Sequence, residues 1–394
     1  MGPALGALPR GVLGAVNVVQ VVATAGSEAS GPAYSVPRLS RALARLGHEV
    51  RLLSVLGAEL EAERGFSHGV YSRARPLERL WRSPGLRAEL ERVAARTEVL
   101  HSHGLWVMPN VYPGWVRRSP PTPLVISPRG TLSAWALRHS RWRKKLAWLL
   151  LQGPVVRAAT CLHATAEDEY RDLRRAGLRQ PVCVIPNGID VPDGVGQTAP
   201  RTGPHTLLYV GRLHVKKGID LLLRAWAELA PRRPDWCLRI VGPDDGGHER
   251  ELRALAASLR VPRVVFTGPV FGAEKHALYR QAALHVLPSH SENFGMTVAE
   301  SLAQATPVVT THGTPWSGLV REGCGWWIEI GVEPLVQALE VATALPAMEL
   351  RARGERGRAW MQRDFSWGSI ALQMAEVYAW LRAGGAPPPT VRLD

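Results

Sequence analysis

The stretch from Leu284 to Thr311 sets the first constraint on the fold. Leu284-His-Val-Leu-Pro288 reads as a buried strand, Thr297–Gln304 as a helix and Pro307-Val-Val-Thr-Thr311 as a second strand. Two apolar strands joined through a helix indicate a parallel sheet, because parallel neighbours need a long crossover where antiparallel ones close with a tight turn. The pattern recurs upstream. Thr206–Val210 reads as a strand leading through a loop into a helix over Ile219–Leu229, and Asn17–Ala23 leads through residues 24–33 into a helix ending near Leu46. In that helix Val36, Leu39, Leu43 and Leu46 fall at helical spacing and Gly47 supplies a stop, before a strand over Glu49–Leu56. Repeated strand–helix alternation predicts an α/β fold. A chain of 394 residues exceeds one ordinary core, so two domains are expected.

The loop inside the first of these units carries two glutamates eight positions apart, in His290-Ser-Glu-Asn-Phe-Gly-Met-Thr-Val-Ala-Glu300. Glu292 falls on the strand-to-helix loop, Asn293, Phe294, Gly295 and Met296 at the helix start, and Glu300 about one turn on. A helix start offers unpaired N–H groups and a partial positive charge, a seat for phosphate. Carboxylates on either side suit hydroxyl-rich groups flanking a diphosphate, namely a ribose and a sugar. The same residues also fit a solvated loop glutamate and a carboxylate favoured by the helix dipole.

A second anion site precedes it. Gly211-Arg-Leu-His-Val-Lys-Lys-Gly218 joins a strand to a helix and carries Arg212 and Lys217. Only five of the 48 basic residues are lysines (144, 145, 216, 217 and 275), and two of them fall in this loop. Lysine supplies a compact point charge and arginine a planar fork, a combination suited to phosphate. A basic loop before a helix is the plainer alternative.

Gly211-Arg212 with Lys217-Gly218, followed by Glu292 and Glu300, resembles the family-4 retaining glycosyltransferases of glycosyltransferase group 1. The resemblance extends through Pro186-Asn-Gly-Ile-Asp190, Val241-Gly-Pro243, Phe266-Thr-Gly-Pro-Val270, Gly313-Thr-Pro-Trp316 and Gly325-Trp-Trp327. Less specifically, it reaches His101-Ser-His-Gly104 and Ser127-Pro-Arg-Gly130, and so spans roughly residues 17 to 382. It implies a GT-B fold, in which two Rossmann-like, doubly wound parallel-sheet domains face a cleft. It also implies a hexosyltransferase that moves a sugar from a nucleotide-diphosphate donor with retention and without a metal.

Composition sets further bounds. Hydrophobic content of 46% with strand–helix alternation fits a soluble protein, and no run of 18 apolar residues suggests a membrane span. Cys161, Cys183, Cys237 and Cys324 lie far apart without metal-ligand spacing, which suggests a reducing, cytoplasmic setting. The charge is uneven: residues 1–200 carry 26 basic and 15 acidic residues, against 22 and 19 in residues 201–394. Residues 70–150 form a basic region that ends in Arg138-His-Ser-Arg-Trp-Arg-Lys-Lys-Leu-Ala-Trp-Leu-Leu150. Basic residues running into Trp and Leu suit an anionic membrane surface on the inner face, or equally an amphipathic helix packed on its own domain. No nucleic-acid module accompanies the charge, so nucleic acid is not an expected partner.

The N-terminal half supplies weaker candidates. Ser30-Gly31 follows the first strand, where a glycine would let a donor phosphate or acceptor approach, and a small-residue turn without that role is the alternative. The family often has two glycines at this point, and Ser30 replaces the first. Val99-Leu-His-Ser-His-Gly104 reads as a short strand ending in His103, which by the resemblance would contact the donor sugar near its reacting carbon. A buried, merely hydrogen-bonded histidine is the alternative, and His101 is expected to be structural. Arg129 follows the strand Pro123–Ser127 and could bind acceptor or phosphate.

The expected division is a loose extension over residues 1–16, an acceptor domain over 17–198 completed by a helix over 366–382, and a donor domain over 199–365. A disordered tail is expected over 383–394. The first 15 residues lack a convincing signal-peptide core.

The chemistry must help a diphosphate leave an anomeric carbon as a hydroxyl arrives, so preorganised positive groups matter most. Arg212, Lys217 and the helix start would supply them, Glu292 would orient the sugar, Glu300 would bind the ribose, and Gly268–Val270 would hold the base through the backbone. No Asp-x-Asp occurs in the chain, which fits a metal-free site with no cofactor beyond the donor. Acceptors would be glycans, lipid-linked molecules or small molecules of polysaccharide biosynthesis. The alternatives are a catalytically silent nucleotide-sugar-binding subunit and a GT-B sugar-nucleotide epimerase.

Overall fold

The computed structural model describes residues 14–26, 31–76, 78–116, 121–133, 145–192 and 205–394. The chain divides into two compact units, one of residues 1–188 with 367–394 and one of residues 189–366.

The first unit holds β1 (Asn17–Val22), β2 (Glu49–Ser54), β3 (Phe66–Val70), β4 (Val99–His103), β5 (Leu124–Ser127), β6 (Cys161–Ala164) and β7 (Val182–Val184). These seven pair in parallel in the order β7-β6-β5-β4-β1-β2-β3. The chain winds outwards from β1 in one direction and from β4 in the other. At such a reversal two adjacent strands send their following loops to opposite faces, opening a crevice beyond their carboxyl ends. β4 and β5 are buried along their whole length, as expected for central strands of a parallel sheet. Their core includes Val19, Val21, Leu53, Leu100, Ile126 and Leu162.

The second unit holds β8 (His205–Val210), β9 (Trp236–Val241), β10 (Val264–Gly268), β11 (Leu284–Leu287), β12 (Val308–Thr311) and β13 (Gly325–Ile328). All pair in parallel in the order β10-β9-β8-β11-β12-β13, the doubly wound arrangement of dinucleotide-binding folds, with its reversal between β8 and β11. Leu207, Tyr209, Leu284 and Val286 on the two middle strands join Leu222, Leu223 and Trp226 of the helix Ile219–Leu229 in one buried core.

Two boundaries differ from the sequence expectation. The second unit starts near Ile189 rather than at 199, because Ile189 N donates to Phe365 O (2.8 Å) and Arg358 Nη2 donates to Pro192 O (2.6 Å). These bonds tie the head of the expected linker to the second unit, while residues 193–204 lie outside the described residues, as do residues 1–13 of the expected extension.

The expected disordered tail is also corrected. Val391–Arg392 forms β14, antiparallel to β7 at the edge of the first sheet. Tyr170 Oη donates to Asp394 Oδ2 (2.8 Å) and Arg392 bonds Glu167 (2.8 Å), so side-chain bonds hold a strand too short to show in the sequence. The helix Trp367–Ala383 belongs to the first unit.

Candidate functional site

In the second unit the two strands at the reversal deliver the paired groups. β8 leads into Gly211–Gly218, and β11 leads through Pro288 and Ser289 to Glu292. Lys217 Nζ donates to Glu292 Oε1 at 2.5 Å, and both side chains are largely buried. Ser289 Oγ donates to the same oxygen (2.7 Å), and Glu292 N donates to Gly313 O (2.7 Å). Burial alone would raise the Glu292 carboxyl, but Lys217, the Ser289 hydroxyl and Lys216 outweigh it and hold the group below its ordinary value. Gly218 takes a left-handed conformation (φ 64°), and a Cβ added there would collide with the carbonyl of Pro288, on the segment that leads from β11 to Glu292.

Arg212 sits beside this pair in sequence but faces another partner. Its Nη1 donates to Asp245 Oδ2 (2.5 Å), and both side chains remain substantially exposed. Its carbonyl accepts from Tyr209 Oη (3.0 Å), beside Gly211.

The helix Met296–Ala303 begins on Gly295, again left-handed (φ 79°). Phe294 just before it is a core residue: its ring packs on Trp316 and its carbonyl accepts from Trp316 Nε1 (2.5 Å). Asn293 and Met296 are partly buried on either side of it. On the second turn, Glu300 points inward. Its Oε1 accepts from Lys275 Nζ (3.0 Å) and its Oε2 from Tyr279 Oη (3.0 Å). Lys275 and Tyr279 stand one turn apart on the helix Gly272–Gln281, so one helix face brackets both carboxylate oxygens. Val270 lies just ahead of that helix, packed against the cluster of Leu208, Val210, Val241, Tyr279 and Ala282.

In the first unit, His103 ends β4 beside the β1/β4 reversal. It is buried, and both ring nitrogens are engaged: Arg129 Nη2 lies 3.0 Å from Nδ1, and Gln20 Oε1 lies 3.0 Å from Nε2. Arginine only donates, so Nδ1 must be a lone pair and Nε2 must carry the proton. A second chain of bonds runs alongside. His163 Nε2 faces the Ile185 carbonyl (2.8 Å), which only accepts, so its Nδ1 accepts from Ser127 Oγ (2.7 Å). Ser127 Oγ in turn accepts from His101 Nε2 (2.7 Å), leaving His101 Nδ1 to accept from Tyr378 Oη (2.6 Å). Burial and the neighbouring positive groups push His101 and His103 well below the ordinary histidine value, and burial first of all takes His163 down to about 3. All three imidazoles are therefore neutral. Gly31 opens the helix Gly31–Arg45, and a Cβ added there would meet nothing within 4 Å; its neighbour Ser30 lies outside the described residues.

Residues 194–360 match the family model for glycosyl transferases group 1, and residues 30–188 match a glycosyl transferase 4-like domain. The chain belongs to the glycosyl transferase group 1 family. It is 30% identical over 389 residues to a D-inositol 3-phosphate glycosyltransferase of Thermobispora bispora, covering 89% of this chain and 90% of that protein. It is 33% identical over 266 residues to a glycogen synthase of Mycobacterium tuberculosis, covering 64% of this chain and spanning 62% of that relative's length. The fold is GT-B, like that of Anabaena HepE solved in complex with UDP-glucose, with a TM-score of 0.70, 19% identity and coverage of 91% of this chain and 98% of that one.

The geometry of this group 1 member brings together Lys217 and Glu292, while Arg212 pairs elsewhere and Glu300 sits on the inner side of its helix. Asp245, Ser289, Lys275, Tyr279 and Gln20 stand in no motif that the sequence singles out. Lys275 had a signal, since it is one of only five lysines in an arginine-rich chain. Among the described residues, no group of three His, Cys, Asp or Glu side chains could hold a metal ion. Among the same residues, no helix is long and apolar enough to cross a membrane.

Proposed function

We propose that this protein is a retaining hexosyltransferase. In this reading it transfers a sugar from a nucleotide-diphosphate donor to a hydroxyl of a glycan, lipid-linked or small-molecule acceptor, without a metal or cofactor. The observation that carries the reading is the Lys217–Glu292 pair, delivered by the two strands at the reversal of the second sheet. An ammonium held there can take up the charge that develops on a leaving diphosphate, and the carboxylate it releases can orient the sugar. Arg212 adds a second cation once it leaves Asp245, and the first N–H groups at Gly295 and Met296 add the helix-end field. Glu300 keeps lone pairs for ribose hydroxyls beyond those used by Lys275 and Tyr279, and the backbone at Val270 holds the base. In the first unit, the open space over Gly31 suits close approach of the donor. His103 can offer its Nε2–H to a sugar hydroxyl if its bond to Gln20 opens. UDP-glucose, the ligand named for Anabaena HepE, is the first donor to try.

An anionic membrane surface is a further proposed partner. Leu146, Leu149 and Leu150 are exposed, 51%, 66% and 64%, directly after Lys145. An apolar strip beside basic residues suits an anionic surface, and the protein would then work peripherally on the cytoplasmic face.

The test is incubation with a panel of nucleotide sugars, with released nucleotide diphosphate measured by chromatography. Release that Lys217→Ala abolishes supports the transferase. Tight binding without release, in the presence of candidate acceptors, supports the silent nucleotide-sugar-binding subunit instead.

A further inference from the structure

Arg129 is held in an unusual way. It follows β5 with φ at 59°, a left-handed conformation that costs a non-glycine residue about 1–2 kcal/mol. Its guanidinium reaches two partners, Asn187 Oδ1 (2.6 Å from Nη1) and His103 Nδ1 (3.0 Å from Nη2). Both are neutral. Among the described residues Arg129 forms no ion pair, and its buried Nε has no hydrogen-bond acceptor. The nearby carboxylate of Glu169 is taken up by Gly130 N, Thr165 N and Thr165 Oγ1. Burial draws the guanidinium down to about 10, still a cation at neutral pH.

A carboxylate at 103 or 187 would grip the same fork as firmly, and most of the described arginines that are held by side chains are held that way. It would also cancel the charge. Asn187 and a histidine confined to its neutral form grip the fork and leave the charge whole. Gln20 completes the arrangement, since its amide oxygen takes the Nε2–H and so keeps the His103 lone pair turned to Arg129. Two nitrogens of a fixed, uncancelled guanidinium keep N–H groups to spare, the geometry that suits the oxygens of a phosphoryl group.

We propose that Arg129, presented by His103 and Asn187, is a seat for a phosphoryl group of the substrate, either the donor diphosphate or a phosphate on the acceptor. This rests on the transferase reading for which substrate carries the group, but not for the seat itself.

The experiment uses the full chain and two variants, Asn187→Asp and Arg129→Gln. Asn187→Asp preserves shape and strengthens the grip on Arg129 while cancelling its charge, so a merely structural Arg129–Asn187 contact would survive it. Titrations with UDP, glucose 6-phosphate and inorganic phosphate are followed by calorimetry, with thermal melting to confirm folding. Loss of one or two charge-assisted bonds predicts about tenfold to a hundredfold weaker binding. Weakening of UDP alone assigns the seat to the donor diphosphate. Weakening of glucose 6-phosphate or inorganic phosphate alone assigns it to an acceptor phosphate. Folded Asn187→Asp that binds all three probes as the wild type does overturns the proposal, and so does a wild type that binds none of them. Lys217→Ala is the parallel control. If it leaves UDP binding intact while Asn187→Asp weakens it, the seat stands and the donor site proposed in the second unit falls.

Discussion

Lys217 and Glu292 lie 75 residues apart in the chain, yet their charged atoms meet at 2.5 Å. Each therefore neutralises the other, and in the proposed reaction a diphosphate would compete with Glu292 for the ammonium. Replacing one partner strands the other. Lys217→Met should cost about 3 kcal/mol of stability, the low end for a buried pair because both side chains keep some exposure. The double variant Lys217→Met/Glu292→Gln should recover part of that loss in urea denaturation. Turnover should fall at least about a hundredfold in both variants. Recovery of turnover together with stability in the double variant would remove the pair from the chemistry.

Glu300 offers a contrast in the same unit. Lys275→Met leaves its carboxylate buried beside Tyr279 alone and should cost about 3–5 kcal/mol, whereas Tyr279→Phe should cost about 1–2 kcal/mol. Glu300→Gln keeps the side-chain shape and should weaken donor binding with little change in turnover. A change confined to turnover would contradict the proposed ribose role.

The Arg212–Asp245 pair is exposed, so it is worth no more than about 1 kcal/mol. Asp245→Asn frees the guanidinium and should tighten UDP binding by up to about fivefold, an effect that fades with added salt. Weaker binding would instead make Asp245 a guide that aims Arg212.

Acid should unfold this protein early. His101, His103, His163 and His285 are fully buried and stay neutral when folded, the last two down to about pH 3, whereas unfolded histidines protonate near 6.5. Their folded values are depressed, so the stability present above pH 6.5 is lost as the pH falls from 6.5 towards 3. Each contributes about a tenfold drop in the folded-to-unfolded ratio per pH unit. Among the described residues His285 has no hydrogen-bond partner on either ring nitrogen. His285→Leu should raise the melting temperature at pH 5 and lower the proton uptake on unfolding by about one, read from the slope of stability against pH.

The strand and helix pattern of both units was legible because buried parallel strands are short apolar runs and the loops after them carry glycines. Lys217 and Glu292 were legible for the same reason, as each stands just past the end of such a strand. Their mutual contact was not, because it depends on β8 and β11 being neighbours, a non-local fact. Asp245 follows β9, and its link to Arg212 depends likewise on the pairing of β8 with β9. Arg129 could be placed at a strand end but not given its partners. Asn187 comes from the far side of β6 and β7, and the tautomer of His103 is held by Gln20 in β1. The last strand was hidden by its two-residue length behind Pro387-Pro-Pro389.

Because residues 367–394 complete the first unit, that unit is the last to be finished as the chain emerges from the ribosome. The second unit, residues 189–366, has its whole sheet available while the first still lacks its edge strand and the helix that carries Tyr378 to His101. The nascent N-terminal half must therefore wait, with part of its apolar surface uncovered, through the synthesis and folding of the other. A stop codon before residue 367 thus acts at a distance in sequence, on the unit made first.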